Sequence, residues 1–396
     1  MSTLFLGDCL DVMRKMDEDS IDAIVTDPPY GLAFMGKDWD FGVPGEAFWR
    51  EALRVAKPGA HLLAFGGTRT YHRLACAIED AGWEIRDCIM WVYGSGFPKS
   101  MDVSKAIDKM RGAEREVVGK RPPNVISKKW REAEGRTDLP TSILDITAPS
   151  TPEAAAWNGW GTCLKPAVEP IVVARKPLDG TVAANVLKYG TGAINIDGCR
   201  VGKEKMINPP ASNNRSPSEK GVVDFRMKAS VAPTEAIGRF PANLIHDGSD
   251  EVLALFPDTG KSTGGRTIKR SGGGNVGSGK KSEASWSNDD PGFGDSGSAA
   301  RFFYCAKASR SERGEGNVHP TVKPIALMRY LVRLVTRKGG RILDPFMGSG
   351  TTGIAAVQEG MRFVGIEKDE HYYEIAQSRV CAAKPITSTT QQELPL

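Results

Sequence analysis

Apolar positions along this chain come in two patterns, short continuous runs and runs spaced three and four residues apart, and the two alternate. Ile21-Asp22-Ala23-Ile24-Val25-Thr26 reads as a buried strand. Glu46 to Ala56 reads as a helix with Phe48, Ala52, Leu53 and Ala56 on its buried side, stopped by Lys57-Pro58-Gly59. Ala60 to Phe65 is the next predicted strand, Arg69 to Ala81 the next helix, and Trp83 to Tyr93 the strand after it. A shorter pair opens the chain, with a strand from Leu4 ending in Asp8 and a helix from Cys9 to Met16. Alternation of this kind predicts a parallel sheet with helices on both faces, an α/β fold.

The alternation fails from Gly94 to Lys165, which predicts an insertion of loops and short helices, and returns at Ala167 to Ala174, where Val168, Ile171, Val172 and Val173 mark a strand. From Arg175 to Asn317 the periodicity is poor. Prolines and asparagines cluster at 208–217, and Gly260 to Lys281 holds eight glycines and six basic residues with no acid, so this span predicts a second, irregular domain with a flexible basic loop. Order resumes in a helix from Pro324 to Lys338 with Leu327, Leu331, Leu334 and Val335 on one stripe. A strand at Arg341 to Leu343, a helix at Thr351 to Glu359, a strand at Met361 to Ile366 and a helix at Glu370 to Ala383 follow. The expected divisions are a first sheet half at 1–93, an insertion at 94–165, a return strand at 166–175, a substrate-recognition region at 176–318, a second sheet half at 319–384 and a flexible tail at 385–396.

A chain of 396 residues is long enough for one large core plus an inserted domain. No apolar run of membrane-spanning length and no basic-then-apolar leader are present, so a cytoplasmic protein is expected. The seven cysteines show no Cys-x-x-Cys spacing, which argues against a disulfide framework and against a zinc site; they are expected as small buried hydrophobes, and no metal is expected. The net charge of +4 is uneven: Lys176 to Lys281 carries 16 Lys and Arg against 10 Asp and Glu, a local +6, which points to a polyanionic partner. Lys261, Arg266, Lys269, Arg270, Lys280 and Lys281 in the glycine-rich stretch are the candidate phosphate contacts.

Two stretches carry chemistry. Asp27-Pro28-Pro29-Tyr30 follows the Ile21 to Thr26 strand, and in an open α/β sheet ligands bind outside the carboxyl ends of the strands. Two prolines remove backbone donors and leave a rigid lip of acceptors; Asp27 adds a carboxylate and Tyr30 a flat ring. A planar ligand with an amino group, such as a nucleobase, fits: its N–H bonds go to Asp27 and the Pro28 carbonyl while its ring stacks on Tyr30. A plain turn would also use Asp and Pro, though seldom all four residues together. The second stretch is Asp344-Pro345-Phe346-Met347-Gly348-Ser349-Gly350-Thr351-Thr352-Gly353, between a strand and a helix, with Glu367 nineteen positions beyond Gly348. Its Gly-x-Gly-x-x-Gly string and following acid suit a ligand with a ribose, and an NAD-type dinucleotide competes for it. Asp8 and Asp344 at strand ends disfavour a pyrophosphate and favour the sulfonium and ammonium of S-adenosylmethionine. Thr321 and Lys323, in His319-Pro320-Thr321-Val322-Lys323-Pro324 at a helix start, are candidates to hold that cofactor's carboxylate.

With both stretches in hand the chain resembles the β-group of amino-methylating DNA methyltransferases, and among them the phage and prophage adenine methylases. Leu6-Gly7-Asp8, Asp27 to Tyr30, His319 to Pro324, Asp344 to Gly350 and Glu367 carry the resemblance, with Gly94 to Ser100, Leu164-Lys165-Pro166 and Arg239 to Asn243 as further matches. The resemblance implies a Rossmann-like S-adenosylmethionine-dependent methyltransferase fold. Its sheet would have seven mostly parallel strands assembled from both chain ends, with Ala167 to Ala174 antiparallel and a target-recognition domain inserted. It implies the cofactor in the Phe346 to Gly350 crevice, with Ser349 and Thr351 in its wall, Asp344 toward the amino acid part, Glu367 on the ribose and Asp8 toward the adenine. It implies N6 methylation of an adenine flipped out of double-stranded DNA in a bacterial or phage-infected cell. An N4-cytosine methylase would use the same geometry, though those relatives more often carry serine in place of Asp27. An oxidoreductase and a silent DNA-binding module are remote alternatives; a homodimer and a cognate restriction enzyme stay open as partners.

Overall fold

The computed structural model describes residues 2–32, 42–96, 100–121, 144–208, 234–260, 296–306 and 322–386. In chain order the strands are β1 (Thr3–Leu6), β2 (Ile21–Thr26), β3 (Ala56–Phe65), β4 (Glu84–Val92), β5 (Val117–Arg121), β6 (Leu144–Thr147), β7 (Val168–Arg175) and β8 (Val201–Asn208). They continue with β9 (Thr234–Arg239), β10 (Leu244–His246), β11 (Asp258–Thr259), β12 (Gly297–Ser298), β13 (Tyr304–Cys305), β14 (Arg341–Asp344) and β15 (Arg362–Glu367). Nine of them form one sheet in the order β1-β15-β14-β2-β3-β7-β4-β10-β13.

The pairs β1/β15, β14/β15, β14/β2 and β2/β3 are parallel, and β7 runs antiparallel to β3. Both chain ends therefore build one half of the sheet, as the resemblance implied, and the first strand lies outside the last. The architecture is α/β and Rossmann-like. Among the described residues the sheet has nine strands rather than the expected seven, because β10 and β13 add onto β4 in parallel, Leu244 opposite Met90 and Ile245 opposite Tyr304. Strands of three and two residues are too short to leave a period in the sequence. They lie in the span read as a separate irregular domain, yet Glu169–Ser309 clusters with Met1–Val92 and Lys323–Leu396 in one compact unit.

Burial explains the central strand. All six residues of β2 are buried, as expected of a strand covered on both faces. Its one acid, Asp22, receives the Lys57 ammonium at 2.6 Å and the backbone N–H of Arg341 at 2.7 Å, which ties β2 to the starts of β3 and β14. The helix Glu46–Val55 buries Phe48, Trp49, Ala52 and Val55. Leu53 is only partly covered, and Ala56 already belongs to β3. The expected stop at Lys57-Pro58-Gly59 is instead an irregularity inside β3, where the pairing jumps from Ile21–Ala56 to Ala23–His61. Gly59 is required there: its φ is +77° and a Cβ would lie against the Asn185 side chain. The helix Ile325–Val335 buries Leu327, Leu331, Leu334 and Val335, the stripe read from the sequence.

A second unit comprises Tyr93–Val168 and Arg310–Val322. Its described part holds the helix Val103–Arg111, the β5/β6 hairpin and the helix Pro152–Ala156. Asp108 organises it, pairing with Arg115 at 2.5 Å and accepting from the Thr151 hydroxyl at 2.7 Å and the Ser150 amide at 3.0 Å. The expectation of buried cysteines holds for Cys199; Cys76, Cys163 and Cys381 are exposed and Cys9, Cys88 and Cys305 half-buried. Among the described residues no helix is long and apolar enough to cross a membrane.

Candidate functional site

The carboxyl ends of β2 and β14 lie side by side, and one hydrogen bond joins them. The Thr26 hydroxyl donates to Asp344 Oδ1 at 2.7 Å. Asp344 also accepts from the Thr352 hydroxyl at 2.5 Å and the Phe346 amide at 3.1 Å. Only 2% of Asp344 is exposed. Burial pushes its carboxyl up to about 7, against the pull of the two hydroxyls and the amide, and the nearby Asp27 charge adds to the rise. These bonds run to Thr26, Thr352 and Phe346, and they fix where the glycine loop leaves the strand.

That loop is shaped for close approach. Gly348 and Gly350 have φ of +50° and +82°, and a Cβ on Gly353 would stand 2.7 Å from both Phe363 and Val380. Glu367, at the end of β15, accepts from the Gly348 amide at 2.9 Å through Oε2 and from the Lys368 and Asp369 amides through Oε1. Burial raises its carboxyl above the usual range, with the three amides opposing. Ser349 is buried and its hydroxyl accepts from Arg379 at 2.8 Å, Thr351 is buried at the first helical position, and the Phe346 ring packs 4.9 Å from Phe48. Asp8 caps the helix Cys9–Met13 through the Leu10 amide, and Gly7 N donates to the Glu367 carbonyl at 2.8 Å, so β1 and β15 end together. Asp8, Gly348 and Glu367 thus gather at the ends of three neighbouring strands. Thr321 and the basic set Lys261, Arg266, Lys269, Arg270, Lys280 and Lys281 lie outside the described residues.

The lip at Asp27-Pro28-Pro29-Tyr30 is more elaborate than its sequence suggests. Lys323, read as a cofactor ligand, points to the other half of the site: its ammonium lies 2.7 Å from Asp27 Oδ2 and 3.2 Å from Glu169 Oε2. Burial disfavours that charge, but the two carboxylates outweigh it and hold the ammonium above its ordinary pKa. The Tyr30 hydroxyl stands 2.8 Å from Asp27 Oδ1 and 3.0 Å from Glu169 Oε2, and Lys323 Nζ lies 3.2 Å from it. Burial and the two carboxylates push the phenol well above its usual pKa, so it stays protonated. Thr70 donates to the Tyr30 carbonyl at 2.6 Å, and Gly67 packs against the ring, where a Cβ would be 3.1 Å from Cδ2. Sequence reasoning missed Glu169, Thr26, Thr70 and Thr352. Glu169 had one faint signal, a lone acid before Pro170 at the head of an apolar strand.

A family model described as a DNA methylase matches residues 21–111 and 227–378. Over 62 residues the chain is 47% identical to Type II methyltransferase M2.DpnII of Streptococcus pneumoniae, covering 16% of this chain and 23% of that protein. Over 71 residues it is 41% identical to Type II methyltransferase M2.LlaDCHI of Lactococcus lactis subsp. cremoris, covering 18% and 26%. Each match thus spans about a quarter of the length of the curated relative. The crystal structure of the M1.HpyAVI–SAM complex is 15% identical, with 96% of this chain and 99% of that chain covered and a TM-score of 0.42.

Proposed function

Because the chain belongs to the DNA methylase family whose model spans more than half of it, we propose that it transfers a methyl group from S-adenosylmethionine to the exocyclic N6 amino group of an adenine flipped out of double-stranded DNA. The observation that carries this reading is the junction of two sites. The acceptor lip ends β2, the glycine loop ends the adjacent parallel strand β14, and the Thr26–Asp344 bond of 2.7 Å locks the two ends together.

The residues fit S-adenosylmethionine. Gly348 and Gly350 admit a ligand close to the backbone, the Glu367 carboxylate suits ribose hydroxyls, and Asp8 suits a cationic ligand better than a pyrophosphate. The bound cofactor supplies a methyl group on a sulfonium, which departs leaving the bond's electron pair on sulfur. The chain's own part is at the amino group. Asp27 and the Pro28 carbonyl accept its two N–H bonds, favour a pyramidal nitrogen and stabilise the positive charge that grows there. The nitrogen lone pair forms the new N–C bond, and one N–H proton then passes to water, restoring a neutral amine. Flipping the base costs a few kcal/mol, which stacking on the Tyr30 ring offsets by about 1–3 kcal/mol. The reading favours adenine over cytosine because Asp27, rather than serine, opens the lip. Tritium passing from the labelled methyl donor into duplex DNA tests the reading; unlabelled DNA overturns it.

Two further results are expected. Glu367→Ala weakens S-adenosylmethionine binding by about 1.5–3 kcal/mol, the range for a hydrogen bond to a charged group, and calorimetry showing unchanged affinity removes Glu367 from the site. Changing Lys261, Arg266, Lys269, Arg270, Lys280 and Lys281 together to glutamine weakens DNA binding and flattens its salt dependence by about 0.9 log unit per lost phosphate contact. An unchanged slope in a salt series places the phosphate contacts elsewhere.

A further inference from the structure

Lys323 poses an electrostatic difficulty for a lip that stabilises positive charge. Its ammonium lies 2.7 Å from Asp27, and that pair by itself is neutral, so the cation opposes any charge growing on an amino group bound at Asp27. The structure supplies a second carboxylate. Glu169, at the head of β7, reaches the same ammonium at 3.2 Å with the oxygen that faces the Tyr30 hydroxyl at 3.0 Å. The strand holds it in place: Pro170 is buried and its carbonyl accepts from Gly66 at 2.9 Å. Lys323 is 9% exposed, Glu169 19% and Asp27 21%, so water screens these charges only in part. Two carboxylates, one ammonium and one neutral phenol leave the cluster with a formal charge of −1.

We propose that Glu169 is a positioning residue that keeps the base-binding lip negative, taking up the Lys323 ammonium and holding the Tyr30 hydroxyl so that Asp27 meets the amino group with its charge uncancelled. The inference rests on the methyltransferase reading above. It makes Lys323 a counter-ion that Asp27 and Glu169 share, tolerable beside a developing cation because Glu169 compensates it. It also gives the Tyr30 hydroxyl a task beyond carrying the ring.

Glu169→Gln is the direct test, since it keeps the size of the side chain and an oxygen that can accept from Tyr30 and Lys323 but removes the charge. In single turnovers on duplex DNA at saturating S-adenosylmethionine, the variant is expected to lose about 10–100-fold in methylation rate. Its affinities for DNA and for S-adenosylhomocysteine are expected to stay within about twofold of wild type. Adding Lys323→Met removes the uncompensated ammonium, so the double variant is expected to methylate about tenfold faster than Glu169→Gln alone, a coupling that a purely structural role does not produce. An unchanged rate in Glu169→Gln, a rate loss matched by an equal loss of DNA affinity, or a folded double variant no faster than the single one overturns the inference. If the double variant does not fold, the split between rate and affinity in Glu169→Gln decides. Wild type run alongside separates the levels: no transfer by wild type overturns the methyltransferase reading and this inference with it, whereas transfer by wild type leaves only the role of Glu169 at stake.

Discussion

Asp27→Ala is expected to lower the rate of methyl transfer by about a thousandfold, the loss seen when a preorganised group that stabilises a developing charge is removed. Cofactor affinity is expected to stay within about twofold, because the glycine loop is fixed through Thr26, Thr352 and Phe346 onto Asp344, and none of those bonds involves Asp27. The loss has two parts. The base amino group loses its charged acceptor, and Lys323 is left with Glu169 alone, so the cluster becomes neutral as well. Single-turnover methylation, with calorimetry of the cofactor alongside, separates rate from binding. A rate near wild type would remove Asp27 from the chemistry.

Lys323→Met is expected to destabilise the protein by about 3 kcal/mol, the low end for removing one partner of a buried ion pair. The low end applies because Asp27 and Glu169 keep about a fifth of their side-chain surface in water. Without the ammonium, two carboxylates face each other across a single phenolic proton, and the repulsion falls on the lip itself. Urea denaturation at neutral pH reads the change as a shifted midpoint at constant slope. An unchanged midpoint would show that the carboxylates are solvated well enough to need no counter-ion.

Much of this was legible in the sequence, for reasons that differ by element. A strand covered on both faces, such as Ile21–Thr26, must be apolar throughout, and a helix with one covered face, such as Ile325–Val335, must carry a stripe; both requirements survive in the residue order. The glycine loop was legible because the positive φ values at Gly348 and Gly350 strongly favour glycine. The start of β3 was not, because Lys57-Pro58-Gly59 carries the chemistry of a helix stop while the structure uses it as a strand irregularity. β10 and β13 were hidden by their length. The cysteines were misread because composition says nothing about where in the fold a residue falls: Cys76 and Cys381 lie on exposed helix faces and Cys163 in an exposed bend.

The site shows the same division. The residues of Asp27 to Tyr30 and Asp344 to Gly353 announce themselves by type and spacing, whereas their partners are set by the fold. Lys323 sits beside a helix start in sequence, which suggested an anion, yet the packing of the sheet turns it toward a residue 296 positions away. Glu169 lies 139 positions from Tyr30, and nothing local links them. Tyr30 read as a ring for stacking; its hydroxyl meets Glu169 only once β7 has been laid beside β3.

The central claim is tested most directly by digesting duplex DNA to nucleosides after incubation with the protein and isotope-labelled S-adenosylmethionine, and identifying the labelled nucleoside by mass spectrometry. Labelled N6-methyldeoxyadenosine, absent when Asp27→Ala replaces wild type, is the expected result; labelled N4-methyldeoxycytidine, or no labelled nucleoside, would contradict it.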